Sequence, residues 1–65
     1  MQLKDALRQK GYRVIDLWER LNRKYLIDYQ LCAKYARCNT RNCLDPVVWE
    51  KIDECLKEME VVWNG

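Results

Sequence analysis

The stretch Asn22-Arg23-Lys24-Tyr25-Leu26-Ile27-Asp28 decides the fold, because residues 13–36 form either one helix or two around it. Neither glycine nor proline occurs from Tyr12 to Asp45, so helix propensity slightly favours a single helix of about 24 residues. Two helices are the alternative, since Asn22 tolerates left-handed dihedral angles and Asp28 can cap a new helix. In both alternatives the apolar stripe, in steps of three and four, consists of Val14, Leu17, Trp18, Leu21, Tyr25, Tyr29, Cys32 and Ala36.

A short helix precedes this region. Leu3, Ala6 and Leu7 have the i, i+3, i+4 spacing of one helical face. Gly11 follows, and glycine just past a helix is the usual left-handed C-terminal cap. The pattern predicts a helix at about residues 2–10.

The clearest helix start lies near the C-terminus. Asp45-Pro46 places a good N-cap before proline, which is favoured at the first helical position. Apolar residues at helical spacing continue to Trp63, so this last helix is predicted to end at Asn64-Gly65. The polar residues 38–44 before it are predicted to form a loop.

These elements define the fold class. No strand-like alternation, repeat or linker occurs in the 65 residues, and 49% of the residues are hydrophobic. The sequence therefore predicts a single helical domain over residues 1–65, an all-α bundle of three or four helices, with a helix-turn-helix as one possible arrangement.

The composition argues against an enzyme. Serine and histidine are absent, which removes serine–histidine nucleophile pairs and histidine general bases. The two glycines cannot build a phosphate-binding glycine-rich loop. We therefore predict a binding protein with no catalytic residues and no cofactor.

The cysteines do not have the spacing of a metal site. Only Cys38 and Cys43 approach a close pair, and structural zinc sites usually carry two such pairs. Cys32 and Cys55 fall on apolar helix faces, where a free cysteine behaves as a small hydrophobe. We expect no metal ligands. A disulfide between Cys38 and Cys43 could form in air, but the cytosol would keep it reduced.

Charge divides the chain into two parts. Residues 1–44 carry ten basic and four acidic side chains, a balance of +6, whereas residues 45–65 have a balance of −4. A basic body with an acidic end indicates a polyanion or an acidic protein as partner, or two halves that attract each other. Within the last helix, Asp53 and Glu54 precede Lys57 by four and three residues, which predicts local ion pairs.

No export signal or membrane-spanning stretch is visible, so a cytoplasmic protein without membrane contact is expected.

Residues 3–12 followed by residues 15–22 (Ile-Asp-Leu-Trp-Glu-Arg-Leu-Asn) resemble the opening of Cro-like and repressor-like helix-turn-helix proteins of phages. Residues 46–56 are similar to the closing helix of the same family, so the resemblance covers about half of the chain. Trp18 stands where that family usually has alanine. The resemblance implies a regulator that binds double-stranded DNA, with a helix at about 28–37 in the major groove.

On this hypothesis the basic residues have two roles in DNA binding. Lys34 and Arg37 would face base edges or phosphates, while Arg23, Lys24 and Arg41 would neutralise phosphates.

The acidic last helix would lie away from DNA and could form a homodimer face, anchored by Trp49 or Trp63 if either is exposed. The alternative is a small helical adaptor or inhibitor of another protein, which the unbroken helix 13–36 would favour.

Overall fold

A computed structural model describes all 65 residues and contains four helices and no strand. The helices are α1 (Leu3–Gln9), α2 (Val14–Tyr25), α3 (Tyr29–Ala36) and α4 (Pro46–Glu58). The predicted all-α bundle is therefore confirmed. None of the helices has the length and apolar character needed to cross a membrane.

The first helix ends as its glycine predicts. Gly11 adopts a left-handed conformation with φ of 81°, which costs glycine little because it has no Cβ. The backbone N–H of Tyr12 donates to the carbonyl of Leu7 at 2.9 Å and closes the end of α1. On the other side, the N–H of Leu3 donates to the carbonyl of Cys38 at 3.2 Å, which ties α1 to the end of α3.

Residues 13–36 form two helices, so the single helix that propensity favoured is wrong. Leu26 ends α2 in a left-handed conformation with φ of 52°, and Asp28 caps α3. The chain folds back at this point. As a result α3 packs against both α2 and α1, while α2 also contacts α4.

One hydrophobic core joins all four helices, and its members are more than nine-tenths buried. The largest fully buried side chains are Leu3, Leu7, Leu17, Leu21, Ile52, Cys32 and Cys55. Cys32 and Cys55 are therefore core residues, as their positions on apolar faces predicted.

The last helix begins where predicted and ends earlier. The Asp45 carboxylate accepts a hydrogen bond from the N–H of Val47 at 2.8 Å, which confirms the N-cap. The helix ends at Glu58, because Glu60 is left-handed (φ 59°) and the N–H of Val61 returns to the carbonyl of Leu56. The prediction that it continues to residue 63 is wrong.

Each of the three tryptophans makes a hydrogen bond to a segment that has no regular secondary structure. Their indole N–H groups donate to backbone carbonyls: Trp18 to Ile27, Trp49 to Cys43 and Trp63 to Met1. Trp49 and Trp63 are buried and stack on each other with ring centroids 5.3 Å apart. Neither is exposed, so neither meets the condition for anchoring a dimer face.

Candidate nucleic-acid interface

The turn of residues 26–28 sets the direction of α3 relative to α2. Leu26 closes α2 by donating its N–H to the carbonyl of Asn22 at 3.1 Å. Two residues later, the carboxylate of Asp28 accepts from the N–H of Gln30 at 2.9 Å. The result is a helix, a three-residue turn and a second helix, joined without glycine.

Trp18 holds this turn from the side of α2. Its indole N–H donates to the carbonyl of Ile27 at 2.7 Å. Its ring packs edge-to-face against that of Tyr29, with the ring centroids 5.7 Å apart. The side chain of Ile27 is buried in the core, whereas that of Leu26 points into solvent and is 86% exposed. Trp18 thus fixes α3 to α2 through one hydrogen bond and one aromatic contact.

The two faces of α3 have opposite character. Cys32, Tyr35 and Ala36 are buried on the inner face. Gln30, Lys34 and Arg37 follow at i, i+4 and i+7 on the outer face, where all three are exposed. No ion pair or side-chain hydrogen bond engages these three side chains, and α3 contains no acidic residue.

The five basic residues predicted to contact DNA lie in three places. Lys34 and Arg37 line one cleft beside the end of α3. Arg23 and Lys24 line another together with Glu58 of α4. Arg41 lies elsewhere, against the C-terminal segment of residues 59–65. The structure therefore brings together two pairs and leaves Arg41 apart.

Lys24 is held by acidic residues of α4. Its ammonium donates to Glu54 at 2.9 Å and to Glu58 at 3.1 Å, and the hydroxyl of Tyr25 also donates to Glu54. The hydrogen bonds to Glu54 and Glu58 raise the pKa of Lys24 above its ordinary value of 10.5. The hydrogen bonds from Lys24 and Tyr25 lower the pKa of Glu54.

Arg41 is engaged even more fully. Its guanidinium makes a two-point contact with the Asp53 carboxylate, with Nη2 2.7 Å and Nε 3.0 Å from Oδ1. Its Nη1 donates to the carbonyls of Trp63 at 2.9 Å and of Gly65 at 2.7 Å. Arg41 therefore joins the 37–45 loop, α4 and the C-terminal segment.

These contacts correct the predicted ion pairs within α4. Asp53 and Glu54 pair with Arg41 and Lys24, from the loop and from α2, and not with Lys57. The basic and acidic parts of the chain thus attract each other in part. Arg23, Lys34 and Arg37 have no ion-pair partner within the chain.

Gln30 is the outward residue that the sequence did not single out. Asp28 is the N-cap of α3, and this cap places Gln30 in the first turn of the helix, on the same face as Lys34 and Arg37. The i, i+4, i+7 spacing of Gln30 with Lys34 and Arg37 was the signal that could have identified it.

The thiols and carboxylates do not gather into a metal centre. No three cysteine, aspartate or glutamate side chains come together in an arrangement that could hold a metal ion. Burial raises the pKa of the Cys32 thiol to about 12 and also raises that of Cys55. Both core thiols are therefore protonated at neutral pH.

Comparison of the chain with protein-family models, with curated proteins and with solved structures gave no match.

Proposed function

We propose that this chain is a small sequence-specific DNA-binding regulator of helix-turn-helix type that acts in the cytoplasm and inserts α3 into the major groove. The observation that supports this function is the outer face of α3. Gln30, Lys34 and Arg37 stand there exposed and without partners, on a helix with no acidic residue. The capped turn before α3 gives that face a fixed direction.

The side chains on this face suit the edges of base pairs. A glutamine amide can bind adenine through two hydrogen bonds, and lysine or arginine can bind O6 and N7 of guanine. In helix-turn-helix proteins the N-terminal residues of the second helix contact base edges. Gln30 in the first turn would therefore read a base, while Lys34 and Arg37 further along α3 would each contact a phosphate.

The phosphate contacts fall mainly to the cations without partners. Arg23 is exposed and unpaired at the end of α2, so it can neutralise a phosphate without breaking a contact. Lys24 would first have to leave Glu54 and Glu58, and Arg41 would have to leave Asp53. Lys24 and Arg41 therefore contribute less in this proposal than their charges alone predict.

A salt titration tests the proposal. Binding to duplex DNA should weaken as salt rises, with a slope of log K against log salt of roughly −2.7 for three neutralised phosphates. Replacing Arg23, Lys34 or Arg37 with alanine should each reduce the slope by about one. Lys57→Ala is the matched control, because it removes the same charge from an exposed position on α4.

Two results would overturn the DNA-binding function. One is the absence of salt-dependent binding to any duplex at micromolar protein. The other is a slope for Lys57→Ala that falls as far as the slope for Lys34→Ala, since binding would then follow net charge and not the outer face of α3.

Sequence preference is tested separately by enrichment from a random-sequence duplex pool. Gln30→Ala should relax the enriched sequence at one base pair, a discrimination of about 1–3 kcal/mol for a good two-point contact. It should leave the salt slope unchanged, because glutamine carries no charge. An unaltered preference in Gln30→Ala would remove Gln30 from the base-reading face.

A protein-binding adaptor is the second candidate, and a different surface supports it. Tyr29 is exposed against the Trp18 ring, Leu26 is exposed in the turn between α2 and α3, and Ile15 is exposed one turn before Trp18 on α2. Exposed apolar side chains grouped in this way are typical of protein-binding surfaces. A protein partner that is lost in Leu26→Ser, but retained in Lys34→Ala and Arg37→Ala, would favour the adaptor.

A further inference from the structure

The loop between α3 and α4 carries two cysteines that line the same cleft. Cys38 follows the end of α3 and is buried, whereas Cys43 is exposed. Both cysteines line one cleft beside the end of α3, and the Cys38 thiol donates to the carbonyl of Lys34 at 3.7 Å. The cleft therefore has one thiol that is accessible to solvent and one that is buried.

The backbone holds both cysteines in place. The carbonyl of Cys38 accepts from the N–H of Leu3, and the carbonyl of Cys43 accepts from the indole of Trp49. The four residues between them form turns and bends and no regular helix. The ends of this short loop are thus anchored, and Arg41 between them is held by Asp53 and the C-terminal segment, so both cysteines stay on the same cleft.

The surroundings favour an anionic thiol reagent. Lys34 and Arg37 line a cleft of about 350 Å³ together with Cys38 and Cys43. Neither cation is paired with a carboxylate of the chain. Both can therefore attract a negatively charged disulfide and stabilise a developing thiolate. The other two cysteines, Cys32 and Cys55, are buried in the core and out of reach.

We propose that Cys38 and Cys43 form a reversible dithiol–disulfide pair, oxidised by an anionic low-molecular-weight disulfide that enters the cleft beside Lys34 and Arg37. This proposal does not depend on DNA binding.

The reaction takes place in two exchange steps. The Cys43 thiolate attacks one sulfur of the small disulfide, forms a mixed disulfide and releases one small thiolate. The Cys38 thiolate then attacks the Cys43 sulfur and expels the second small thiolate. In total the protein loses two protons and two electrons, and the small disulfide becomes two thiols.

The order of the steps follows from the environments of the two thiols. Burial, followed by the neighbouring Cys43 thiol, raises the pKa of Cys38 to about 11, so Cys38 is a poor first nucleophile. Once Cys43 is in a mixed disulfide, its thiol no longer contributes to that rise. Lys34 and Arg37 still favour the Cys38 thiolate, which can then complete the second step.

The test uses the full chain, reduced and then exposed to mixtures of oxidised and reduced glutathione. After quenching, alkylation in denaturant should count two free thiols where the reduced chain has four. Trypsin cleaves after Arg37, Arg41 and Lys51, so the peptides 38–41 and 42–51 should remain linked until a reductant is added. Four intact thiols, or a link to Cys32 or Cys55, would overturn the proposal.

Two variants test the order of attack. Cys38→Ser should accumulate a stable glutathione adduct on Cys43, because no second thiol resolves it. Cys43→Ser should leave Cys38 unmodified over the same time. A persistent Cys43 adduct in the wild-type chain would show that Cys38 does not resolve the mixed disulfide, and the proposal would be wrong.

The cations are tested by rate. Lys34→Gln and Arg37→Gln should slow adduct formation several-fold at low salt, and the difference should shrink at high salt, where charges are screened. Lys57→Gln is the control of equal charge. If Lys57→Gln slowed the reaction equally, the cleft would have no part in attracting the reagent.

Discussion

Replacing Arg41 with alanine should loosen the C-terminal segment from the helices. The Arg41 guanidinium bonds the Asp53 carboxylate and the carbonyls of Trp63 and Gly65, and it lies 4.7 Å from the centroid of the Trp63 ring. Alanine removes all of these contacts at once. The side chain of Trp63 would keep its place in the core, its stacking on Trp49 and its bond to Met1, but would lose its contact with Arg41.

The expected loss follows from the partial exposure of these groups. A hydrogen bond to a charged group is worth about 1.5–3 kcal/mol, whereas an exposed ion pair is worth about 0–1 kcal/mol. The side chains of Arg41 and Asp53 are 33% and 40% exposed, so water replaces part of what alanine removes. We expect a loss of about 2 kcal/mol, and at about 4–8 °C per kcal/mol the Tm should fall by roughly 8–16 °C.

Thermal unfolding followed by circular dichroism measures this change. Arg37→Ala is the matched control, because Arg37 is exposed and has no partner. Arg41→Lys should fall between the wild type and Arg41→Ala, since lysine keeps the charge but cannot make the planar two-point contact with Asp53. A Tm for Arg41→Ala no lower than that for Arg37→Ala would refute the reasoning.

Three further changes test the caps and the charges. Asp45→Ala should cost about 1 kcal/mol by removing the acceptor for the N–H of Val47, and a Tm equal to that of the wild type would contradict the cap. Leu26→Gly should be more stable than Leu26→Ala by about 1–2 kcal/mol, because a Cβ costs that much in the left-handed region, and it should therefore unfold at a higher temperature. The reverse order of Tm values would exclude strain at Leu26. Folding lowers the pKa of Glu54 below its ordinary value of 4.5. The ionised Glu54 side chain therefore contributes its full share of the folding stability above pH 4.5, and that share is lost as the pH falls through the pKa of the folded state. The Tm of Glu54→Gln should therefore depend less on pH between neutral and acid than the Tm of the Glu50→Gln control, and equal slopes would contradict the Lys24–Glu54 pairing.

Local signals in the sequence predicted the ends of elements well where a specialised residue marks them. Gly11 ends α1, and Asp45-Pro46 begins α4, because each residue type is suited to one conformation. The left-handed positions at Leu26 and Glu60 carry no such signal. Their conformations depend on the burial of the residues after them, Ile27 in one case and Val61 and Trp63 in the other.

The candidate interface was less predictable, because ion pairing depends on contacts between distant parts of the chain. Lys24 meets Glu54 and Glu58, and Arg41 meets Asp53, only after α4 has docked beside α2 and the loop. Charge counts treat these cations and Lys34 alike. Only the fold distinguishes a cation that holds two segments together from one that is free to bind a partner.

The size of the molecule explains why propensity gave the wrong answer for residues 13–36. A helix of 24 residues would be about 36 Å long, whereas the longest extent of the folded chain is 26 Å. An unbroken helix would therefore carry its second half away from the core. Folding back at Leu26 lets Cys32, Tyr35 and Ala36 be buried instead.

The energies at the turn agree with this result. A left-handed leucine costs about 1–2 kcal/mol. Against it stand the Asp28 cap and the Trp18 hydrogen bond, each worth about 1 kcal/mol, and the burial of Ile27, worth about 1.5–3 kcal/mol. The same contacts that offset the strain fix the orientation of α3, so the exposure of Gln30, Lys34 and Arg37 is a direct consequence of how the turn is stabilised.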